Sequence, residues 1–387
     1  MKRNYILTGG TGFLGAKLAQ RLIKEDDNVI FLGRKKEDIT LHDRIGRLGQ
    51  EDVYEVVLDS PEFLPKNLFD KVKRADGIWH LAANLSFRTR DAETVMVQNT
   101  QMLKNSIMLA EHYKCPLYFV STAYVHGKRS GMVYENDLVE PKRFNNAYEK
   151  SKFTCERMLH RWSETSLDHK YIIFRPSILI DSVTSGKTSF GYYGVLSSFE
   201  KLVDNIKKFI DKKPLLSKFF GLRYVDSTKK VHIPFFPVAK KCCLNMISAD
   251  DVVDWMIDIV GSEKSLRKTF HLVNPKPLSM KTISQGTLDA VGIDTKVIDS
   301  IPLGIMRISS RIIQYIGMKI CILKPLAKTL KYYGYYMLEY NAYDMSNTRS
   351  IIGDKVDLVS KEDANFISNL ALSFIASNNE NKIKTNH

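Results

Sequence analysis

Over the first 180 residues, short apolar runs alternate with longer segments of helical spacing. The runs are Tyr5–Thr8, Val29–Gly33, Tyr54–Leu58, Gly77–Leu81, Leu117–Ser121 and Tyr171–Arg175. Each has the length of a strand. Between the first two, Leu14, Leu18 and Leu22 recur every fourth position from Phe13 to Ile23, as one face of a helix requires. Strands alternating with helices pair in parallel and are covered on both faces. The pattern predicts an α/β chain built on a doubly wound parallel sheet.

From Asp181 the rhythm changes. Lys201–Cys243 holds eleven Lys/Arg against three Asp, a local net of +8 out of +14 for the chain. Strand and helix signals return at Leu244–Val260 and Thr269–Val273. Ile301–Tyr340 then mixes apolar residues with Arg307, Arg311, Lys319, Lys324, Lys328 and Lys331. The expected organisation is a nucleotide-binding domain of residues 1–182 and 244–274. A smaller, mostly α substrate lobe takes residues 183–243 and 275–377, and residues 378–387 form a polar, flexible tail.

The chain has 387 residues, 44% of them hydrophobic, enough for two compact lobes. Its excess of cations favours anionic partners. No recognition module accompanies the charge, so nucleic acid is not expected. Cys115, Cys155, Cys242, Cys243 and Cys321 lack metal-ligand spacing, which fits a reduced, cytoplasmic protein. Neither a signal peptide nor an uncharged apolar stretch of spanning length is visible.

Thr8-Gly9-Gly10-Thr11-Gly12-Phe13-Leu14-Gly15 follows the first strand and opens the first helix. Glycines at 9, 12 and 15 permit a tight turn, close approach of backbone to a pyrophosphate, and close helix–strand packing. The helix N-terminus turns free N–H groups to the phosphates. This context makes the fold Rossmann-like. The second strand ends at Gly33-Arg34-Lys35-Lys36, where an NAD-binding fold usually carries an acid for the ribose 2′-hydroxyl. Arg34 and Lys35 would instead pair with a 2′-phosphate, so NADPH is the expected cofactor.

Tyr148 and Lys152 lie four residues apart, on one face of a helix. Hydride addition to a carbonyl leaves charge on oxygen, and a phenol can supply the proton. A nearby ammonium is expected to lower the phenol's pKa toward working pH. Thr122 follows the strand Leu117–Ser121 and can donate a hydrogen bond to the substrate carbonyl.

In the order and spacing of its motifs, the chain resembles the extended short-chain dehydrogenase/reductases. The motifs are Thr8–Gly15, Asp59, His80-Leu81-Ala82-Ala83, Asn99, Ser121–Gly127, Tyr148–Lys152 and Arg175-Pro176-Ser177. Within that superfamily it looks most like the fatty acyl-CoA reductases and thioester-reductase domains. The narrower likeness rests on Thr11–Gly15, Val120–Val125, Arg175–Ile178, Asp181–Gly186 and Thr269–Asn274. The resemblance implies a catalytic set of Thr122, Tyr148 and Lys152, with Asn99 supporting the lysine. It implies cofactor contacts from Thr8, Gly9, Gly12, Phe13, Leu14 and Gly15, and from Tyr148 and Lys152, the lysine by a hydrogen bond to the nicotinamide ribose. Asp59 would contact the adenine, Ala82 and Ala83 would line the cofactor's path, and Pro176, Ser177 and Ile178 would flank the nicotinamide. His126 stands where many members carry Tyr, and Asp181 where the reductases often have Gly.

The activity implied is NADPH-dependent reduction of an acyl-CoA or acyl carrier protein thioester to an aldehyde, with a second reduction to the alcohol left open. The basic Lys201–Lys241 stretch would suit such an anionic carrier. Two other readings share the fold: action on a ketone, secondary alcohol or nucleotide sugar, and a non-catalytic NADPH-binding regulator. The Ile301–Leu330 helices have three placements open to them. They can cover an acyl chain, rest peripherally on a membrane, or pack on the core of their own lobe.

Overall fold

A computed structural model describes residues 2–34, 54–58, 64, 68–181, 190–225, 230–339, 341–359 and 363–385. The chain divides into two compact units. The first comprises residues 1–177, 249–273 and 341–357. The second comprises residues 178–248, 274–340 and 358–387.

The first unit carries β1 (Asn4–Thr8), β2 (Asn28–Arg34), β3 (Tyr54–Leu58), β4 (Gly77–His80), β5 (Leu117–Val120), β6 (Gly131–Val133) and β7 (Tyr171–Pro176). Its helices include α1 (Phe13–Lys24), α2 (Leu68–Lys71), α3 (Ala92–Tyr113) and α4 (Ala147–Glu164), beside Ala249–Val260 and Ser346–Ile352. Seven strands form one parallel sheet in the order β3-β2-β1-β4-β5-β7 and Lys268–Leu272. Strand order reverses between β1 and β4, the switch point at which open α/β sheets bind ligands. The strands carry apolar centres because both sheet faces are covered: Ile6, Leu7, Ile78, Phe119, Ile173 and Phe174 have no exposed surface. Helix α1 buries Leu14, Leu18 and Leu22, the predicted stripe, each contributing about 1.5–3 kcal/mol.

Arg175, fully buried at the end of β7, pairs with Glu156 of α4 at 2.6 Å. Its remaining N–H groups go to the carbonyls of Tyr134, Glu135 and Asp137. The arginine of the Arg-Pro-Ser motif thus ties helix, strand and loop together. Residues 341–357 return to this unit: Asn341–Tyr343 pairs in parallel with β6. Buried Glu135 accepts from His271 N at 2.8 Å and Thr348 Oγ1 at 2.7 Å. Those bonds, invisible as a sequence period, are why the domain boundary expected near residue 275 is incomplete.

The second unit holds β8 (Ile178–Ile180), β9 (Arg223–Val225), β10 (Lys230–Ala239), β11 (Cys243–Leu244), β12 (Met246–Ser248), β13 (Leu278–Ser279) and β14 (Ile293–Ile301). Its helices are α5 (Tyr192–Lys212), α6 (Pro214–Phe219), α7 (Met280–Ala290), α8 (Leu303–Gly317), α9 (Lys324–Met337) and α10 (Ala364–Thr385). Strand β10 pairs in parallel with β14 and antiparallel with β9. The basic stretch 201–243 therefore builds part of this unit's core, with Leu202, Val203 and Ile206 of α5 buried and its lysines turned outward. The expected tail continues α10 to Thr385. Among the described residues, no helix is long and apolar enough to cross a membrane.

Candidate active site

All of the predicted catalytic residues lie in the first unit. The phosphate loop leaves β1 with Gly9 at φ +75°, a conformation L side chains rarely adopt. A Cβ on Gly15 would stand 2.2 Å from the Gly9 carbonyl oxygen, so helix and loop pack without room for a methyl group. Gly12 N donates to Gly9 O at 2.9 Å and closes the turn. Gly12 caps α1 without a side-chain acceptor, and the first turn has no acid. Leu14 turns its side chain into the core, and Phe13 is half-buried. Thr8 Oγ1 bonds His80 Nδ1 at 3.0 Å and accepts from Ala82 N at 3.3 Å, which fixes the chain beyond β4 where Ala82 and Ala83 lie. Burial lowers His80 to about 3, so it is a neutral partner.

Helix α4 starts at an asparagine cap: Asn146 Oδ1 accepts from Glu149 N at 2.9 Å. The Glu149 carboxylate accepts in return from Asn145 N at 3.0 Å. This cap sets Tyr148 in the first turn and Lys152 one turn on, as the spacing predicts. Lys152 Nζ donates to the Val120 carbonyl at 2.7 Å, at the carboxyl end of β5. It lies 4.6 Å from the centroid of the Phe119 ring and 5.9 Å from that of Tyr148. Thr122 caps the turn after β5, its hydroxyl accepting from Tyr124 N at 3.3 Å. The Tyr148 ring packs 5.9 Å from that of Phe87.

The electrostatics differ from the sequence expectation. Burial lowers Lys152 from 10.5 to about 8. Burial first, then the Glu149 and Cys155 charges, pushes Tyr148 above its ordinary value. Desolvation outweighs the ammonium, whose hydrogen bond goes to Val120. The phenol accordingly keeps its proton at neutral pH.

Asn99 is buried behind the first turn of α4. Its amide donates to Ser151 Oγ at 2.8 Å, and Ser151 Oγ donates to the Tyr148 carbonyl at 2.7 Å. Asn99 Oδ1 accepts from Asn84 N at 2.7 Å. The asparagine therefore ties the loop after β4 to the first turn of α4. Sequence reasoning missed Ser151 and Glu149; the Asn146–Glu149 cap spacing was the available signal. It also passed over Ser121. Among the described residues, the buried hydroxyls of Ser121 and Ser177 have no partner, and they directly follow the neighbouring strands β5 and β7. Arg34 ends β2, with its side chain outside the described residues, as are Lys35 and Asp59 in full.

Pro176 ends β7 within the first unit, whereas Ile178 belongs to the second. There its side chain lines a cavity partly open to solvent. Val195, Phe199, Leu244, Ile283, Met306 and Leu330 are among the other lining residues. Three hydroxyls in the wall are internally paired, Tyr192 with Thr287 at 2.8 Å and Ser310 with Gln314 at 3.2 Å, while buried Thr329 Oγ1 has no partner among the described residues. Asp181 is fixed through its backbone, which exchanges hydrogen bonds with Tyr193 Oη at 2.8 and 3.1 Å. No group of three His, Cys, Asp or Glu side chains able to hold a metal occurs among the described residues.

This is the fold and loop of an NAD(P)-binding extended short-chain dehydrogenase/reductase. Residues 7–213 match the family described as Male sterility protein, and the chain belongs to that family. A putative fatty acyl-CoA reductase of Drosophila melanogaster is 29% identical over 154 residues, 34% of this chain and 28% of that protein. A UDP-N-acetyl-alpha-D-glucosaminuronate decarboxylase of Bacillus cytotoxicus is 27% identical over 145 residues, 35% of this chain and 42% of that one. The chain thus spans less than half the length of either relative. Its fold is that of the terminal R domain from the myxalamid PKS-NRPS pathway, with a TM-score of 0.73 at 19% identity over 99% of this chain and 92% of the other.

Proposed function

We propose that the protein is an NADPH-dependent reductase of acyl thioesters, carried by CoA or by an acyl carrier protein. The observation that favours this over a sugar substrate is the cavity of the second unit. Its wall is overwhelmingly apolar, as the linings of small-molecule sites mostly are. An alkyl chain matches such a wall; a nucleotide sugar would lose its hydration there without gaining hydrogen bonds. The relationship to a putative fatty acyl-CoA reductase points the same way.

The residues present suit a nicotinamide dinucleotide. The uncapped N-terminus of α1 offers N–H groups to a pyrophosphate, and the unpartnered hydroxyls of Ser121 and Ser177 can take polar groups of the ring. Arg34 is assigned to the 2′-phosphate. When bound, the dihydronicotinamide supplies a hydride. Tyr148 holds a proton on Oη and delivers it to the carbonyl oxygen as charge develops. Thr122 donates a hydrogen bond to the same oxygen. Lys152 keeps a positive charge beneath this region at neutral pH. Transfer of the oxygen's proton to sulfur, with cleavage of the C–S bond, releases aldehyde and free thiol.

The experiment is an assay of NADPH oxidation with a series of saturated acyl-CoA esters, with free thiol measured in parallel. Thiol release equal to NADPH consumed is expected, with Arg34→Glu raising KM for NADPH but not for NADH. Turnover of a UDP-sugar or a secondary alcohol, with no thiol from any thioester, would replace this reading with the wider dehydrogenase one.

A further inference from the structure

Helix α8 has two apolar faces. Met306, Ser310 and Ile313 turn inward and line the cavity of the second unit. On the other side Ile305, Ile308, Ile312, Tyr315 and Ile316, at helical spacing, are 45–71% exposed. Met318 and Ile320 extend this exposed surface beyond the helix end. The stripe runs about 16 Å along the axis, from Ile305 to Ile316. Exposed apolar patches of this kind mark a partner surface.

The charge around the stripe identifies the partner's chemistry. Exposed Arg311 follows it on α8, and Lys319 Nζ lies 4.8 Å from the Tyr315 ring centroid. Helix α9 repeats the arrangement. Thr329, Tyr333 and Tyr336 line the cavity, while Lys324, Lys328 and Lys331 recur at i, i+4 and i+7 on the exposed side. Between Ser300 and Leu338 there are six Lys/Arg and no Asp or Glu. A second copy pairing through this face would set six cations against six. Apolar side chains flanked by cations on helices too short to span are the makings of a segment lying in the plane of a membrane interface.

We propose that α8 and α9 dock the protein peripherally on a membrane surface carrying anionic lipid. The isoleucine stripe enters the acyl boundary and the lysine row meets the headgroups. Helix α8 then separates the bilayer on one side from the apolar cavity on the other. The inference stands on these faces alone and is read without substrate.

The test is co-sedimentation of the full chain with vesicles of phosphatidylcholine, or of phosphatidylcholine mixed with phosphatidylserine. Strong binding to the mixed vesicles, weakened by salt, is expected. Lys324→Gln/Lys328→Gln/Lys331→Gln should reduce partitioning on the order of a hundredfold. Ile308→Ser/Ile312→Ser/Ile316→Ser should reduce it at least tenfold. These residues are exposed, so thermal unfolding of the variants should match the parent. Failure to bind either vesicle would overturn the proposal. So would loss of binding through Leu215→Ser/Phe219→Ser while the α8 variant still binds. A dimer in light scattering that the isoleucine substitutions dissolve would assign the face to a second copy instead.

Discussion

Replacing Lys152 with methionine should separate stability from chemistry. The ammonium is 97% buried and bonded to the Val120 carbonyl. Burial draws its pKa from 10.5 to about 8, which sets about 3 kcal/mol against the folded state at neutral pH. Methionine removes that cost but leaves the Val120 carbonyl without its donor, a loss of about 1–3 kcal/mol. The two nearly cancel, so the variant should melt within a few degrees of the parent at neutral pH. The pH dependence is sharper. The folded-state value lies below the unfolded one, so the unfolded chain holds more protons between about 8 and 10.5. The parent therefore gains stability as pH rises through that window. From pH about 7.5 to about 9.5 this amine contributes a gain of about 2 kcal/mol, which Lys152→Met lacks. Urea unfolding of both proteins at the two pH values reads this as a double difference, in which the other titrating groups cancel. A double difference near zero would show that the amine is not held as a buried cation, and the electrostatic account of the site would fail with it. Turnover of the variant should fall on the order of a hundredfold or more.

Tyr148→Phe should lower kcat by about 10²–10⁴ with unchanged cofactor affinity by fluorescence titration; full turnover would remove the tyrosine as proton donor. Gly15→Ala drives a methyl group to 2.2 Å from the Gly9 oxygen. It should cost about 1–3 kcal/mol in urea unfolding and weaken NADPH binding at least tenfold, because the loop and α1 must part. Glu156→Ala leaves the Arg175 guanidinium buried without its carboxylate and should destabilise the chain by about 3–5 kcal/mol; a loss under about 1 kcal/mol would show that the pair is not a structural anchor.

The sheet was legible because its strands are buried on both faces and stand out as apolar runs between helices. The glycine loop and the Tyr148–Lys152 pair were legible because each chemistry demands a fixed local spacing. Less was readable where contacts are distant in sequence. The pairing of Asn341–Tyr343 with Gly131–Val133 is three residues long and carries no period, so the return of residues 341–357 could not be foreseen. Charge concealed the amphipathic spacing of α5, whose Leu202, Val203 and Ile206 are core residues among lysines. In α10 the signal was present: Ile367, Leu370, Ala371 and Phe374 recur at helical spacing and are buried. The effect of Lys152 on Tyr148 was misjudged because spacing gives proximity, whereas a pKa depends on how much water each group has lost.

That loss of water explains where the first unit concedes stability. Native proteins rarely leave buried polar groups unpaired. Among the described residues, Ser121 and Ser177 do so directly after β5 and β7, and Lys152 keeps a desolvated charge on the last carbonyl of β5. Core packing alone would favour apolar side chains at all three positions. The surroundings hold the groups in place: the Asn146 cap, the Asn99–Ser151 bonds and the Arg175–Glu156 pair make α4, β5 and β7 a rigid frame. An unpaired donor costs less once a ligand supplies its acceptor, so a cofactor that pairs with these hydroxyls gains affinity from a penalty already present in the free protein. Ser121→Ala and Ser177→Ala should therefore raise the melting temperature of the free protein while weakening cofactor binding. If both quantities fall together, the hydroxyls serve the fold and not the ligand.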